Sequence, residues 1–262
     1  MKTARHYTPS YLRTPTHPVT IHVIGCGGTG SNVLRELAKL HLTLLELDHA
    51  GIHVVAFDSD TVEQPNIGRQ FFYPSDIGQH KCKILISRIN QSCGTDWEAR
   101  PVKYTCDTLN TESAANLTIS CVDTVSAREQ IGQALSGVSF SDHGRMSSRP
   151  FYWLDYGNSK ESGQVVLGTI GEIEQPKSKF DTKSVLPNVL EMFPQMKEQE
   201  KGDDSPSCSS ADALRKQDLF VNSFITIFGM ELIWSLFRSP FIENHGAFAN
   251  IGSLKSQPIK VA

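Results

Sequence analysis

The tightest constraint on this chain is six residues long: Gly25-Cys26-Gly27-Gly28-Thr29-Gly30. A β-branched run, Thr20–Ile24, leads into it. Val33, Leu34, Leu37, Ala38 and Leu40 follow at helical spacing. The pattern predicts a buried strand, a glycine turn and a helix over Thr29–Leu40. Glycines at such a junction permit a tight turn and let backbone amides approach an anion with no Cβ in the way. The helix N-terminus adds free N–H groups and partial positive charge. A phosphate-bearing ligand suits this loop, and the loop alone does not say which.

The rest of the chain repeats the alternation. Ile52–Phe57 reads as a second strand ending at Asp58. A helix is expected from an N-cap at Asp76 through Lys81 to Ile89. Trp97–Tyr104 reads as a third strand, Leu117–Val122 as a fourth, and Val125–Leu135 as the helix after it. Phe151–Tyr156 and Gln164–Thr169 are strands too close in sequence for a crossover, so they pair antiparallel and make the sheet mixed. The fold class is therefore α/β, a Rossmann-like mixed sheet flanked by helices. Residues 1–19 read as a polar amino-terminal arm with little structure of its own, and 20–262 as one domain. Within that domain, 172–208 reads as a long loop with a short helix near Pro187–Phe193. A C-terminal helix is expected over about 210–238, and 246–262 as a last strand or two.

Leu219–Phe237 is apolar enough to raise the question of a membrane span, but Glu231 near its centre would cost about 3 kcal/mol in a bilayer. A buried core helix is the expectation, with no membrane partner. A net charge of −3 gives no basic field and disfavours bulk nucleic-acid binding. The six cysteines form no C-x-x-C pair and the amino terminus has no apolar core, which reads as a reducing cytoplasmic setting.

Asp58 at the end of the second strand could bond a ribose hydroxyl, as in a dehydrogenase, although it lies further past the glycines than the usual spacing of about 20 residues. The residues after it change that reading. Asp58-Ser59-Asp60-Thr61-Val62-Glu63-Gln64-Pro65-Asn66-Ile67-Gly68-Arg69-Gln70, then Ile77-Gly78-Gln79-His80-Lys81, resembles the ThiF/MoeB/HesA family, prokaryotic relatives of ubiquitin-activating enzymes. Ser120-Cys121-Val122-Asp123-Thr124 through Arg128 resembles that family's D-C-T-D-N-x-x-x-R. Gly163-Gln164-Val165 resembles its G-Q-V strand, and Pro206–Asp212 the entry to its final helix. Within the family the chain looks most like the ThiF-type protein of PRTRC gene clusters.

The resemblance implies ATP- and Mg²⁺-dependent adenylation of the C-terminal carboxylate of a small ubiquitin-like protein with a Gly-terminated tail. It implies that Gly25, Gly27, Gly28 and Gly30 cradle phosphate and Asp58 bonds the ribose. Asn66, Arg69 and Gln70 would line the nucleotide, Lys81 would face the leaving pyrophosphate, and Asp123 would hold Mg²⁺. Asp60 is left as a turn or capping residue. Cys208, before the last helix, is a candidate thioester nucleophile, whereas Cys26 and Cys121 read as packing residues. The family forms homodimers in which an arm arginine reaches the partner's triphosphate; Arg5 and Arg13 are the candidates here. The zinc-binding C-x-x-C pairs are missing, so no zinc is predicted. Ser120 and Thr124 replace the Asp and Asn that flank the family's catalytic Asp. A tRNA-modifying relative and an NAD(P)-dependent dehydrogenase are the alternatives; in the latter Asn66, Arg69 and Lys81 would have no task.

Overall fold

The computed structural model describes residues 4–111, 113–138, 146–196 and 218–262. Its centre is an eight-stranded sheet ordered β10-β9-β7-β6-β5-β2-β3-β4. The strands are β2 (Val19–Ile24), β3 (Ile52–Phe57), β4 (Glu98–Arg100), β5 (Leu117–Ser120), β6 (Tyr152–Asn158), β7 (Ser162–Thr169), β9 (Asn244–Asn250) and β10 (Lys255–Lys260). Strands β6, β5, β2, β3 and β4 run parallel. The β6–β7, β7–β9 and β9–β10 pairs are antiparallel. The mixed sheet and the close-set β6–β7 pair are as the sequence reads.

Helices α1 (Gly28–Glu46), α2 (Lys81–Cys93) and α6 (Val221–Arg238) cover one face; α4 (Val125–Ser136) and the short α5 (Val189–Met192) cover the other, and α3 (Thr108–Thr111) lies in the connection to β5. The chain leaves β2 for β3 on one side and returns later to β5 on the other. The carboxyl ends of β2 and β5 therefore form a topological switch point, where open α/β sheets bind ligands. Cys121 N–H donates to Ile24 O at 2.8 Å and Gly25 N–H to Phe57 O at 2.9 Å, which fixes the strand ends side by side.

Helix α6 buries Val221, Ile225, Ile233 and Leu236 while Glu231 is exposed, so the carboxylate interrupts the apolar run on the outward face. Gly229 admits the Tyr156 ring and hydroxyl where a Cβ would stand. No helix among the described residues is long and apolar enough to cross a membrane.

Three expectations are corrected. The helix expected from Asp76 begins at Lys81, because Gly78 turns through φ +85 and ends a 3-10 turn at Pro74–Asp76. Asp76 accepts Tyr73 N–H at 2.8 Å and pairs with Arg88 instead of capping the helix. The strand expected over Trp97–Tyr104 is only Glu98–Arg100, since Pro101 has no N–H to continue the ladder. The arm is not loose over its described residues. Strand β1 (His6–Tyr7) pairs antiparallel with β8 (Phe241–Ile242), and Ala4, His6 and Leu12 are buried.

Beneath the switch point, His22 on β2 is buried against the rings of Phe57 and Tyr104. Burial, with Arg100 and His53 adding to it, pushes the imidazole down to about 4. Between about pH 4 and 6.5 the unfolded chain thus takes up a proton at His22 that the folded chain refuses. Stability at this residue is full above pH 6.5 and falls as the pH drops toward 4, by about 3 kcal/mol in all. Urea denaturation at pH 4.5 and 7.5 will show a smaller acid loss in His22→Leu than in wild type. The geometry also predicts that Gly30→Ala costs about 3 kcal/mol in the same assay, because the new methyl meets the Gly25 carbonyl oxygen.

Candidate active site

The carboxyl ends of β2, β3 and β5 open into a cleft of about 560 Å³. Gly25, Gly27 and Gly28 line it from the loop, Asp58 and Asp60 from the end of β3, and Arg69 and Gln70 from the following segment. Lys81 enters from the start of α2, and Asp123 from the end of β5. A second, wider groove of about 1120 Å³ runs along β7, β9 and β10 and meets the cleft at Val122, Asp123 and Asn158.

The glycines divide into two tasks. Gly25 takes φ +90, and a Cβ there would lie 2.7 Å from Cys121 O. Gly30 does not line the cleft. Its α-carbon packs on the Gly25 carbonyl, so it sets how closely α1 lies on the sheet. Gly28 is covered by the Asn222 amide with no space for a side chain, and Gly27 faces the cleft beside Gln70.

Asp58 ties the loop to the sheet. One carboxylate oxygen accepts Cys26 N–H at 2.6 Å and the other Asp60 N–H at 2.8 Å. Burial pushes its carboxyl above the usual range, although these two amides pull the other way. Asp60 is more than a turn residue. Its carboxylate pairs with Lys81 Nζ at 3.0 Å, holding the buried ammonium at the cleft floor. Gln70 carries a buried Oε1 with no hydrogen-bond partner, so an acceptor is on offer beside the glycine loop. Asn66 is the exception. It does not line the cleft, and its Oδ1 accepts Glu63 N–H at 2.9 Å within a 3-10 turn.

Asp123 is exposed at the mouth of both clefts. Among the described residues no group of three or more His, Cys, Asp or Glu could hold a metal ion. A lone carboxylate facing a nucleotide-sized cleft does suit Mg²⁺, which commonly takes one or two carboxylates and completes its shell with phosphate oxygens and water. Cys26 is fully buried and Cys121 is half-buried at the cleft wall; burial pushes both thiols well above their usual value, which fits packing residues. Cys208 and the Pro206–Asp212 motif lie outside the described residues.

The sequence reading missed a polar knot at the N-terminus of α1. Asn222 Oδ1 accepts Thr29 Oγ1–H at 3.0 Å and Asn158 Nδ2–H at 2.6 Å, and Ser223 Oγ–H donates to Asn32 at 3.1 Å. This knot fastens α6 to the glycine loop. Polar residues opening an apolar helix were its one sequence signal. The candidate arm arginines are both engaged within their own chain. Arg5 bonds Glu243 at 2.9 Å and lies over the rings of Phe180 and Phe241; Arg13 donates to Thr8 at 2.7 Å.

Glycine loop, strand-end acid and switch-point cleft together define a nucleotide-binding α/β protein. The ThiF family model matches residues 16–137, the segment that carries the loop, the Asp58–Gln70 run, Lys81 and Asp123. Ubiquitin-like modifier-activating enzyme 5 of Bombyx mori is 31% identical over 129 residues, 44% of this chain and 30% of that protein. Its namesake in Arabidopsis thaliana is 25% identical over 173 residues, 58% of this chain and 36% of that protein. The chain thus spans about a third of the length of these relatives. A crystal structure of E. coli MccB superposes with a TM-score of 0.57 at 13% identity, covering 93% of this chain and 63% of that one. Another, of MccB with succinimide, gives 0.56 at 14% identity, covering 93% and 64%. At such identities the likeness to MccB is one of fold.

Asp58→Ala removes the acceptor of two backbone amides at once. It should cost about 2 kcal/mol in urea denaturation. Amide hydrogen exchange at Cys26 and Asp60 should speed up while that of α6 stays as in wild type.

Proposed function

We propose that this chain transfers AMP from ATP to the C-terminal carboxylate of a small ubiquitin-like protein with a Gly-terminated tail, in the cytoplasm. The observation that carries the reading is the meeting of two clefts at Asp123. One is floored by phosphate-binding groups, and the other is a long groove able to lead an extended tail to the same point. The relatives named for ubiquitin-like modifiers support the choice of partner.

A carboxylate is already ionised at pH 7, so no general base is needed. Its oxygen attacks the α-phosphorus, the bond to the β-phosphate oxygen breaks, and pyrophosphate leaves with the electron pair. The chain has to align the two reactants and offset charge on the departing group. Amides of the loop and of the first turn of α1 face the phosphates. Lys81, aimed by Asp60, supplies a point charge, and Arg69 a planar fork. Gln70 borders the loop and Asp58 the ribose side. Asp123 would hold Mg²⁺ together with triphosphate oxygens; the ion would neutralise charge on the leaving pyrophosphate. Asn66 is left out of this set, and Gly30 contributes through packing. The reading includes a homodimer, in which Arg5 or Arg13 would have to leave its contact with Glu243 or Thr8 to reach a partner's cleft.

The test is ATP–pyrophosphate exchange driven by a β-grasp protein ending in Gly-Gly. Wild type should exchange, and Asp123→Ala and Lys81→Met should each lose at least 100-fold while still melting cooperatively. Absence of ATP binding by calorimetry, or exchange untouched by both variants, would refute the proposal.

A further inference from the structure

Asp123 is exposed, and among the described residues its carboxylate makes no hydrogen bond or ion pair of its own. Its place must be set through the backbone. The segment from β5 to α4 is only Cys121–Thr124, and one buried side chain grips it on both sides of Asp123. Arg128 Nη2–H donates to Val122 O at 2.8 Å and Nη1–H to Thr124 O at 3.3 Å. Nη2 also donates to Tyr156 O at 2.9 Å, tying the segment to β6. The guanidinium is itself aimed by Asp155, which accepts Arg128 Nε–H at 3.0 Å, with the two side chains 4% and 1% exposed. Ser120 Oγ–H donates to the same carboxylate at 2.5 Å and accepts Trp153 Nε1–H at 2.7 Å. Thr124 completes the hold by capping α4 through Ala127 N–H.

A buried ion pair is a poor source of stability compared with apolar packing. Here three of its four remaining N–H groups go to carbonyls, two of which flank one exposed carboxylate. We propose that Arg128 is a positioning residue: it fixes Asp123 at the junction of the two clefts through the carbonyls of Val122 and Thr124, with Asp155 as its anchor. The proposal deepens the adenylation reading and rests on it for the purpose of Asp123, though not for the restraint itself. The anchor also explains Ser120. Ser120 and Asp155 are register partners on neighbouring strands, so the carboxylate that the ThiF-like pattern places on β5 is supplied here from β6.

Arg128→Lys keeps the charge but, with one nitrogen and three N–H donors, cannot serve Asp155, Val122, Thr124 and Tyr156 together. Amide hydrogen exchange over residues 121–127 should rise at least tenfold, with β2 and α1 unchanged. The Mg²⁺ concentration that half-saturates ATP–pyrophosphate exchange should rise 10- to 100-fold, while ATP affinity without Mg²⁺ holds. Asp155→Ser should loosen the same residues, and adding Ser120→Asp should restore their protection. Unchanged protection and Mg²⁺ dependence in a folded Arg128→Lys protein would overturn the proposal. If that variant does not fold, Asp155→Asn carries the same measurements, and wild-type protection there would overturn it. Wild-type exchange activity in both Asp123→Ala and Lys81→Met would overturn the functional reading, whereas loosening of 121–127 in Arg128→Lys would still support the restraint.

Discussion

Helix α1 lies so close to the end of β2 that the Gly30 α-carbon rests on the Gly25 carbonyl. That contact sets the height of the helix over the sheet, and most of the cleft is built to the same height. It brings the first amides of α1 over the ends of β2 and β5. It leaves Asp58 within reach of Cys26 N–H and lets Asn222 settle on Gly28. Three glycines of the loop thus answer to three neighbours: the Cys121 carbonyl just past β5 for Gly25, the Asn222 amide of α6 for Gly28, and the loop's own backbone for Gly30. Interiors packed to crystal density leave little slack for an added methyl at such points.

The cleft is not a simple positive hole. Arg69, Lys81 and Lys103 stand against Asp58, Asp60 and Asp123, with the N-termini of α1 and α4 adding partial positive charge. The acidic groups have separate duties. Asp58 is spent on backbone amides and Asp60 on Lys81, while Asp123 stays uncommitted among the described residues. Local arrangement, not the net charge of −3, therefore decides what the site can attract.

The alternation of strands and helices was legible because apolar period and glycine punctuation are local signals. The failures came where geometry is not local. Nothing in the spacing distinguishes Gly27, which faces the cleft, from Gly30, which faces backbone. Asn66 reads as a phosphate ligand by its place in the run, but it spends its oxygen on Glu63 N–H within its own turn. The Asn222–Thr29–Asn158 knot joins residues up to 193 positions apart, and the Arg128–Asp155 pair joins neighbouring elements. Asp76 looked like an N-cap because the left-handed turn at Gly78 cannot be read from a single glycine.

The arm adds a consequence in time. His6 and Tyr7 complete their ladder only with Phe241 and Ile242, and Arg5 finds its carboxylate at Glu243. Those partners lie more than 230 residues further along the chain. A ribosome at about 5–20 residues per second keeps the arm waiting for tens of seconds while the parallel strands have long had what they need. The arm is thus synthesised well before the residues it pairs with, and it can dock only after they have emerged.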